Sequence, residues 1–203
     1  MDDNLRAAIA ESKQRLRQAV LLRRSVRPAA ETAEMDRVRA QHLIDFLGNN
    51  LGPDLVVACY LSRPGEPGTL QAVGMLRAAG AKVLLPAFGP DASAADPQWA
   101  WYAGPEELQR GPFGIPQPTT ERLRPQTLAE AQVIICPGLA ATASGDRLGT
   151  GGGWYDRALT WSDPKAAVVL LLNDNEVLDS LPTAENDVPV DVIITEERVI
   201  AVE

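Results

Sequence analysis

Apolar residues recur at helical spacing through the first fifty residues of the chain. A first helix is predicted over residues 3–24, where one stripe collects four apolar side chains, Leu5, Ile9, Leu16 and Val20. A second helix is predicted over residues 30–50 and ends at Gly52-Pro53. Beside the apolar stripe of the first helix runs a row of four basic residues, Arg6, Lys13, Arg17 and Arg24. We expect this row at the edge of the surface on which the helix packs, either as a solvated face or as part of a binding site.

The pattern changes after residue 53 to short continuous apolar runs, which are typical of strands buried on both faces. Six such runs are predicted as strands, namely residues 55–60, 82–86, 99–102, 133–136, 166–172 and 190–195. A helix over residues 69–79 separates the first two and forms a βαβ unit with them. Residues 89–98 predict a surface loop, and the proline-rich residues 104–125 predict an irregular segment.

These elements predict one α/β domain over residues 1–203. Its central sheet is expected to be mostly parallel and flanked by helices, with two N-terminal helices preceding the first strand. A length of 203 residues, with 45% hydrophobic and 23% charged side chains, suits a globular protein with one substantial core.

No segment has the pattern of a membrane anchor or a leader. The longest unbroken apolar run, residues 166–172, is far shorter than the roughly 20 residues of a membrane span. The first residues, Met-Asp-Asp-Asn, lack the apolar core of a signal peptide.

Cys59 and Cys136 each end an apolar run and are expected to be buried, reduced thiols. We therefore expect a cytoplasmic protein without a membrane partner. We also expect a monomer, although none of these observations bears on the oligomeric state.

The net charge of −8 is distributed unevenly along the chain. Residues 1–50 hold 9 basic and 7 acidic side chains, whereas residues 163–203 hold 2 basic and 10 acidic ones. The acidic total argues against a general nucleic-acid binder, which needs a basic surface. It does not argue against a small phosphate ligand, because the excess of acidic groups lies in the last fifth of the chain.

The segment most informative about chemistry is residues 147–157, Arg-Leu-Gly-Thr-Gly-Gly-Gly-Trp-Tyr-Asp-Arg, which follows a predicted strand and precedes a predicted helix. Glycines let backbone N–H groups approach an anion closely, and a helix N-terminus adds partial positive charge. Arg147 and Arg157 supply planar donors suited to phosphate, and Asp156 is the kind of oxygen ligand that Mg²⁺ prefers.

Three alternatives compete with a phosphate loop of this kind. One is an ordinary glycine-rich turn. A Walker-type loop is excluded, because it needs Gly-Lys-Ser/Thr and the sequence has none there. A dinucleotide fingerprint starting at Gly149 would need glycine at position 154, which is Trp154, although Asp174 lies at about the distance at which that motif places its acidic residue.

Two runs together closely resemble the signature of the 5-formyltetrahydrofolate cyclo-ligase family, Pro137-Gly-Leu-Ala140 and residues 147–157. Further elements similar to the family's follow in its order: Lys13 with Leu16-Arg17, Tyr60 through Glu66-Pro67, Lys82–Pro86, Trp99-Ala100, the Phe113-Gly-Ile115 turn, and Asn186-Asp187 before Val190-Asp191. The resemblance therefore covers most of the chain.

The resemblance implies an ATP- and Mg²⁺-dependent enzyme that converts 5-formyltetrahydrofolate to 5,10-methenyltetrahydrofolate, ADP and phosphate. The formyl oxygen is phosphorylated, N10 attacks the activated carbon, and phosphate leaves. Phosphoryl transfer needs positioning and charge neutralisation, and can proceed without a protein nucleophile or a histidine base. ATP as co-substrate and Mg²⁺ are the implied cofactors, and the folate is the implied partner.

The resemblance also assigns site residues. It implies that ATP is bound by Lys13, Arg17, Arg147, Leu148, Gly149, Thr150, Gly151, Gly152, Gly153, Trp154 and Tyr155. It implies that the folate is bound by Leu61, Glu66 and Trp154. The implied metal ligands are Asp156 and Asp187, and the implied catalytic residues are Arg147 and Tyr155.

The chain departs from the family pattern at four places, with Ala141-Thr142 instead of Phe-Asp, Trp154 instead of Tyr, Gln117 instead of Glu, and Asn186 instead of His. The alternative hypothesis is accordingly a non-catalytic or weakly active folate- or nucleotide-binding relative. Retention of Lys13, Arg147 and Asp156 favours the enzyme. A phosphosugar- or CoA-handling enzyme of similar sheet architecture is a third hypothesis, against which the absence of an evident Glu or Cys nucleophile speaks.

Overall fold

The structure, a computed structural model, describes residues 3–89, 97–183 and 188–202. The α-helices of this part of the chain are α1 (Asp3–Ser25), α2 (Ala29–Leu47), α3 (Leu70–Ala78) and α4 (Trp154–Leu159). A 3-10 turn at residues 48–50 continues α2, which therefore ends three residues before its predicted end. None of the helices in the described ranges is long and apolar enough to cross a membrane. Asn186, Asp187 and most of the loop predicted at 89–98 lie outside these ranges.

The strands are, in chain order, β1 (Val56–Cys59), β2 (Lys82–Ala87), β3 (Gln98–Trp101), β4 (Leu108–Arg110), β5 (Pro116–Pro118), β6 (Val133–Pro137), β7 (Ala140–Thr142), β8 (Arg147–Leu148), β9 (Ala167–Leu171), β10 (Val177–Leu178), β11 (Val192–Ile194) and β12 (Val199–Ala201). Within the described residues, seven form the central sheet in the order β12-β11-β9-β6-β1-β2-β3. The middle five strands run parallel, and the edge strands β3 and β12 are antiparallel. The predicted mostly parallel sheet is confirmed.

Both faces of the sheet are buried. Successive residues of a strand point to opposite faces, so neighbours in sequence pack in different layers. Val57 and Cys59 pack on the side covered by α2 and α3. Val56 and Ala58 pack on the opposite side, with α4 and the turn at residues 125–130. The helices therefore flank the sheet as predicted, and the core lies in two layers.

The two cysteines are buried, free thiols on opposite faces of this sheet. Cys59 belongs to the layer under α2 and α3, and Cys136 to the other, so the sheet itself separates them. Burial raises the pKa of Cys136 to about 12 and raises that of Cys59 as well, so both stay protonated near neutral pH. The prediction of buried, unreactive thiols is confirmed.

Several short strands are absent from the sequence prediction. The segment at residues 104–125, predicted to be irregular, contains the antiparallel pair β4–β5. A small sheet in the order β10-β7-β8 and the edge strand β12 are likewise not predicted. Runs of two or three residues are too short to show a period, so the sequence pattern cannot indicate them.

The packing of α1 corrects the sequence prediction. Leu5, predicted to be buried, is 52% exposed, whereas Lys13, Val20 and Arg24 are buried. The apolar cluster beneath the helix is small, consisting of Val20, Leu139, Ala140 and Leu148 with Leu16 at its margin. Two of the four residues of the basic row, Lys13 and Arg24, therefore lie on the buried face of α1, whereas Arg17 is partly buried and Arg6 is exposed.

The parallel strands bring three connecting segments to one edge of the sheet. The carboxyl ends of β1, β6 and β9 meet there because these strands pair in parallel. The segments that follow them, residues 60–69, 138–153 and 172–176, begin at this edge. Open α/β sheets bind their ligands outside the carboxyl ends of the strands.

Candidate active site

Two neighbouring cavities lie at this edge within the described residues. The basic cavity, of about 170 Å³, is lined by Lys13, Arg17, Arg147, Leu148, Gly149, Gly151, Gly153 and Asp156. The apolar cavity, of about 420 Å³, is lined mainly by apolar and aromatic side chains. Its other lining residues are Arg63, Glu66, Thr150, Gly152 and Arg157. Every residue predicted to bind nucleotide or folate lines one of the two. The predicted metal ligand Asp187 lies outside the described residues.

The glycine loop, residues 149–153, is the wall between the two cavities. Its odd-numbered glycines line the basic cavity, whereas Thr150 and Gly152 line the apolar one. Gly151 has a φ of +98°, and a Cβ placed there would lie 3.4 Å from the guanidinium carbon of Arg17. A side chain at position 151 would therefore strain the backbone and crowd the basic cavity.

The first helix supplies two cations to the basic cavity. Lys13, which is buried, and Arg17 lie one turn apart on α1. Arg17 Nε donates a hydrogen bond to the Gly149 carbonyl at 3.0 Å, which holds the glycine loop against the helix. The chain thus brings together groups about 130 residues apart in sequence, as the resemblance implied.

Arg147 is buried and faces Asp156 in a close ion pair between its Nη2 and the Asp156 Oδ1. Among the residues that the structure describes, none accepts a hydrogen bond from the buried Arg147 Nε. A buried donor without an acceptor is costly, and the residue that carries it lines the basic cavity.

The residues of the basic cavity fit a magnesium ion only in company with phosphate. In the described part of the chain, no cluster of three or more His, Cys, Asp or Glu side chains could hold a metal by itself. Asp156, with its side chain 38% exposed, is the one described carboxylate that lines the basic cavity. Mg²⁺ commonly takes one or two protein carboxylates and completes its shell with water and substrate phosphates, so this single ligand fits such an ion.

The aromatic side of the apolar cavity is fixed by ring contacts. Trp154 packs with its ring centroid 4.8 Å from that of Tyr155 and 5.3 Å from that of the buried Trp99. Phe88 lies 6.1 Å away on another side. Leu61, predicted to give apolar surface, is buried and lines the same cavity. A flat ligand therefore meets a preformed surface, because Trp154 is held by its neighbours.

Glu66 is oriented by Arg63, a residue that the sequence analysis did not single out. Its carboxylate accepts hydrogen bonds from the Arg63 backbone N–H at 2.8 Å and from the Arg63 guanidinium at 2.8 and 3.1 Å. The spacing of three residues in a turn is the only signal that could have indicated this pair. Glu66 is thus an immobilised acceptor at the wall of the apolar cavity.

Tyr155 lines the apolar cavity and also packs in both core layers. Burial raises the pKa of its phenol well above the usual value, so the hydroxyl keeps its proton. No described group pairs with this buried hydroxyl. The Tyr155 hydroxyl is therefore a protonated donor without a described acceptor, and it cannot serve as a base near neutral pH.

The structure also gives the positions of three further residues that the sequence analysis discussed, Arg157, Gln117 and Asp174. Arg157, expected beside phosphate, lines the apolar cavity, and its Nη1 donates to the Gly152 carbonyl at 3.2 Å. Gln117, where the family pattern has Glu, accepts the Phe88 backbone N–H at 3.0 Å through Oε1. Asp174, the acid of the dinucleotide alternative, lines neither cavity and pairs with Arg198 at 2.8 Å.

Comparisons with known proteins agree in pointing to one family. The sequence model described as the 5-formyltetrahydrofolate cyclo-ligase family matches residues 9–196. A 5-formyltetrahydrofolate cyclo-ligase of Mycolicibacterium smegmatis is 35% identical over 190 residues, which cover 92% of this chain and 95% of the relative. One from Escherichia coli K12 is 33% identical over 144 residues, covering 70% of this chain and 79% of the relative.

Solved structures give the same result. A 5,10-methenyltetrahydrofolate synthetase of Aquifex aeolicus has a TM-score of 0.76 at 28% identity, covering 94% of this chain and 93% of that one. A synthetase of the same name from Mycoplasma pneumoniae has a TM-score of 0.68 at 19% identity, covering 91% of this chain and 98% of that one. The second comparison supports the fold alone.

Proposed function

The chain belongs to the 5-formyltetrahydrofolate cyclo-ligase family, and we propose that its basic cavity binds the triphosphate of ATP while its apolar cavity binds the folate. The activity is that of the family, the ATP-dependent conversion of 5-formyltetrahydrofolate to 5,10-methenyltetrahydrofolate. The observation that carries the proposal is the glycine loop, which lines one cavity with alternate residues and the other with the residues between them. Phosphoryl donor and formyl acceptor would meet at this loop.

The nucleotide is held by charge and by geometry. Lys13, Arg17 and Arg147, which all line the basic cavity, neutralise the phosphates. Asp156 would hold Mg²⁺, which would supply positive charge beside the reacting phosphates. The backbone of the glycine loop can approach the phosphates closely, because it has no side chains on the basic side.

The folate is held by a preformed surface and one fixed acceptor. The pterin ring, which is flat and rich in N–H donors at its edge, would pack on Trp154 and Leu61 and donate to Glu66. Arg63 keeps the Glu66 carboxylate in place for that contact. Arg157 lies on the folate side of the loop, where its guanidinium would face the acidic end of the substrate.

The reaction follows from this juxtaposition. The formyl oxygen takes the terminal phosphoryl group of ATP and ADP leaves, so the formyl carbon becomes electrophilic. The N10 lone pair then attacks that carbon, the C–O bond breaks, and phosphate departs with the oxygen, while the N10 proton is lost to phosphate or water. Arg147 stabilises the charge on the transferring group, and Tyr155 acts as a hydrogen-bond donor only.

We further propose that residues 1–203 form one domain that acts as a monomer in the cytoplasm. Both cavities are built from a single chain, which supports a monomeric site. The two buried free thiols suit a reducing compartment.

The assay of the reaction combines the protein with Mg-ATP and 5-formyltetrahydrofolate and follows the absorbance of the methenyl product. We expect product only with ATP and Mg²⁺ both present. Absence of product with retained folate binding would overturn the catalytic proposal. It would support the second candidate, a folate- or nucleotide-binding relative, which is suggested by the four departures from the family pattern.

The metal proposal has its own variant and control. Asp156→Asn should lower turnover by about 10²-fold and raise the Mg²⁺ concentration needed for half-maximal rate, because a neutral amide is a weaker ligand. Asp163→Asn, an exposed acid outside both cavities, should change neither quantity. Unchanged Mg²⁺ dependence in Asp156→Asn would exclude Asp156 as the ligand.

A further inference from the structure

A continuous chain of polar side chains, four of them buried and the fifth partly buried, lies outside both cavities at the carboxyl end of β9. It runs through five residues, Asp36, Arg39, Asn173, Glu176 and Arg24, which we call the polar chain. Arg39 and Glu176 are each 1% exposed, and Arg24 and Asn173 are also buried. None of the five lines either cavity.

One end of the polar chain holds α1. Arg24 Nε and Nη2 each donate to the Glu176 carboxylate at 2.7 Å, and Nη2 also donates to the Gly138 carbonyl at 2.9 Å. Glu176 is fixed in turn, because its carboxylate accepts from the Asn173 backbone N–H at 2.9 Å and from Asn173 Nδ2 at 2.7 Å. The Arg24 guanidinium therefore binds a carboxylate whose position is fixed by Asn173.

The helix that Arg24 holds has few other means of attachment. The cluster beneath it is small, and three of its large apolar side chains are exposed, Leu5, Leu21 and Leu22. The cations of the basic cavity, Lys13 and Arg17, lie three and two turns before Arg24 on the same helix. A shift of Arg24 is carried along α1 as a rigid element, so it would displace both cations from the glycine loop.

The other end of the polar chain holds the turn that carries Glu66. Arg39 Nη2 donates to Asn173 Oδ1 at 2.8 Å, and Arg39 Nη1 donates to Asp36 Oδ1 at 2.6 Å. Asp36 Oδ1 also accepts the Gly68 backbone N–H at 2.8 Å. Gly68 lies so close that a Cβ there would be 2.3 Å from Asp36 Oδ2. The turn is thus anchored two residues after Glu66.

Stability alone does not account for this arrangement. A buried ion pair is an inefficient way to stabilise a fold, because the desolvation of both charges offsets most of their attraction. Its bidentate geometry does fix orientation, which a purely apolar contact would not. The polar chain is therefore better suited to setting the position of the elements at its two ends.

We propose that the polar chain is a positioning device with two separable ends: the Arg24–Glu176 pair sets α1 for the nucleotide, and Asp36 sets the Glu66 turn for the folate. The residues act through others and touch neither ligand. The proposal rests on the assignment of nucleotide and folate to the two cavities.

The test compares the two ends in the same protein, by direct binding and by kinetics. Arg24→Lys keeps the positive charge but loses the two-pronged geometry, and Glu176→Gln keeps the shape but loses the charge. Each should raise the Kd for a non-hydrolysable ATP analogue and the KM for ATP by about tenfold, while the KM for 5-formyltetrahydrofolate changes by less than about twofold. Asp36→Ala should give the reverse pattern, and Asp36→Asn, which keeps an acceptor, should restore the folate KM.

A purely structural role predicts a different result. If the three variants raise both KM values together, or lower the thermal midpoint without changing either one, the proposal is overturned. Should Glu176→Gln fail to fold, Arg24→Lys and the Asp36 pair decide the outcome by the same criterion. A wild-type protein that binds both ligands without forming product would overturn the proposed function, yet the binding constants would still test the polar chain.

Discussion

The basic and apolar cavities share a wall but differ in what lines them. In the apolar cavity the aromatic surface is fixed by ring contacts, and two polar groups are matched by the protein itself: Glu66 by Arg63, and the Phe88 backbone by Gln117. Each cavity also has a buried donor without a described acceptor, the Tyr155 hydroxyl on the apolar side and the Arg147 Nε on the basic side. The apolar side is thus a preformed surface, whereas the basic side is a cluster of three cations, Lys13, Arg17 and Arg147.

This difference follows from the chemistry of the two ligands. A flat aromatic substrate gains affinity when its binding surface is rigid beforehand, because little entropy is then lost on binding. A triphosphate supplies many strong acceptors of its own, so clustered cations beside a glycine loop attract it by charge and by charge-assisted hydrogen bonds. We expect nucleotide binding to weaken markedly with salt and folate binding to weaken little.

The largest effect that would test this comparison comes from the two arginines at the ends of the glycine motif. Arg147→Met should lower turnover by about 10³-fold, because it removes the cation at the transferring group. Its folate affinity should stay within about twofold of the wild type. Arg157→Met, the matched variant on the other side of the loop, should raise the folate KM and spare the ATP KM. Steady-state kinetics with each substrate varied in turn would measure both.

The distinction between the two arginines fails if both variants produce the same pattern. Equal loss of folate and nucleotide affinity in Arg147→Met would mean that the cavities are one site for binding purposes. A matching rise in the ATP KM of Arg157→Met would return that residue to the phosphate role that the sequence suggested.

A smaller effect is expected at the aromatic wall. Trp154→Ala should raise the folate KM by about 30-fold and lower stability by about 3 kcal/mol, because it removes a ring packed on Trp99 and Tyr155. Trp154→Tyr, the family's usual residue, should recover most of both losses. Thermal unfolding and folate kinetics on the same preparations check the two quantities separately. A raised ATP KM of similar size would contradict the assignment of Trp154 to the folate side.

Tyr155 offers a still smaller and more pointed measurement. Tyr155→Phe should lower kcat by about tenfold, because it removes a donor that only the bound substrate can satisfy. The thermal midpoint should not fall, since the hydroxyl has no described partner in the protein. The pH profile of the wild type should show no ionisation of Tyr155 below about pH 10, because burial raises its pKa. An unchanged kcat would leave Tyr155 a core residue only.

The sequence predicts the central sheet because its strands are buried on both faces and appear as continuous apolar runs. The family signature also indicates many of the residues that line the two cavities, among them Lys13 and the glycine motif, but it does not indicate Arg63. The sequence does not predict which residues of the glycine loop line which cavity. That division depends on the path of the backbone, and the composition of the loop does not indicate it.

The same limit explains the error on α1. A helical stripe such as Leu5 and Val20 shows which side of a helix is apolar, but not how much surface its partner offers. The partner here is a small cluster beside the acceptors Glu176 and Gly138, so Arg24 is buried and Leu5 is not. The pairing of Arg24 with Glu176 spans 152 residues, and nothing in the sequence alone indicates it.

The smallest expected effect concerns Gln117, where the chain departs from the family's Glu. Its Oε1 accepts the Phe88 backbone N–H, and a carboxylate oxygen at the same position would accept it equally well. Gln117→Glu should therefore leave the folate KM within about twofold, whereas Gln117→Ala should raise it about fivefold by releasing one wall of the apolar cavity. A large change in kcat on Gln117→Glu would show that the family's carboxylate has a chemical role at this position. The replacement of Glu by Gln in this chain would then mark a difference in mechanism within the family, and not merely a substitution that preserves one backbone contact.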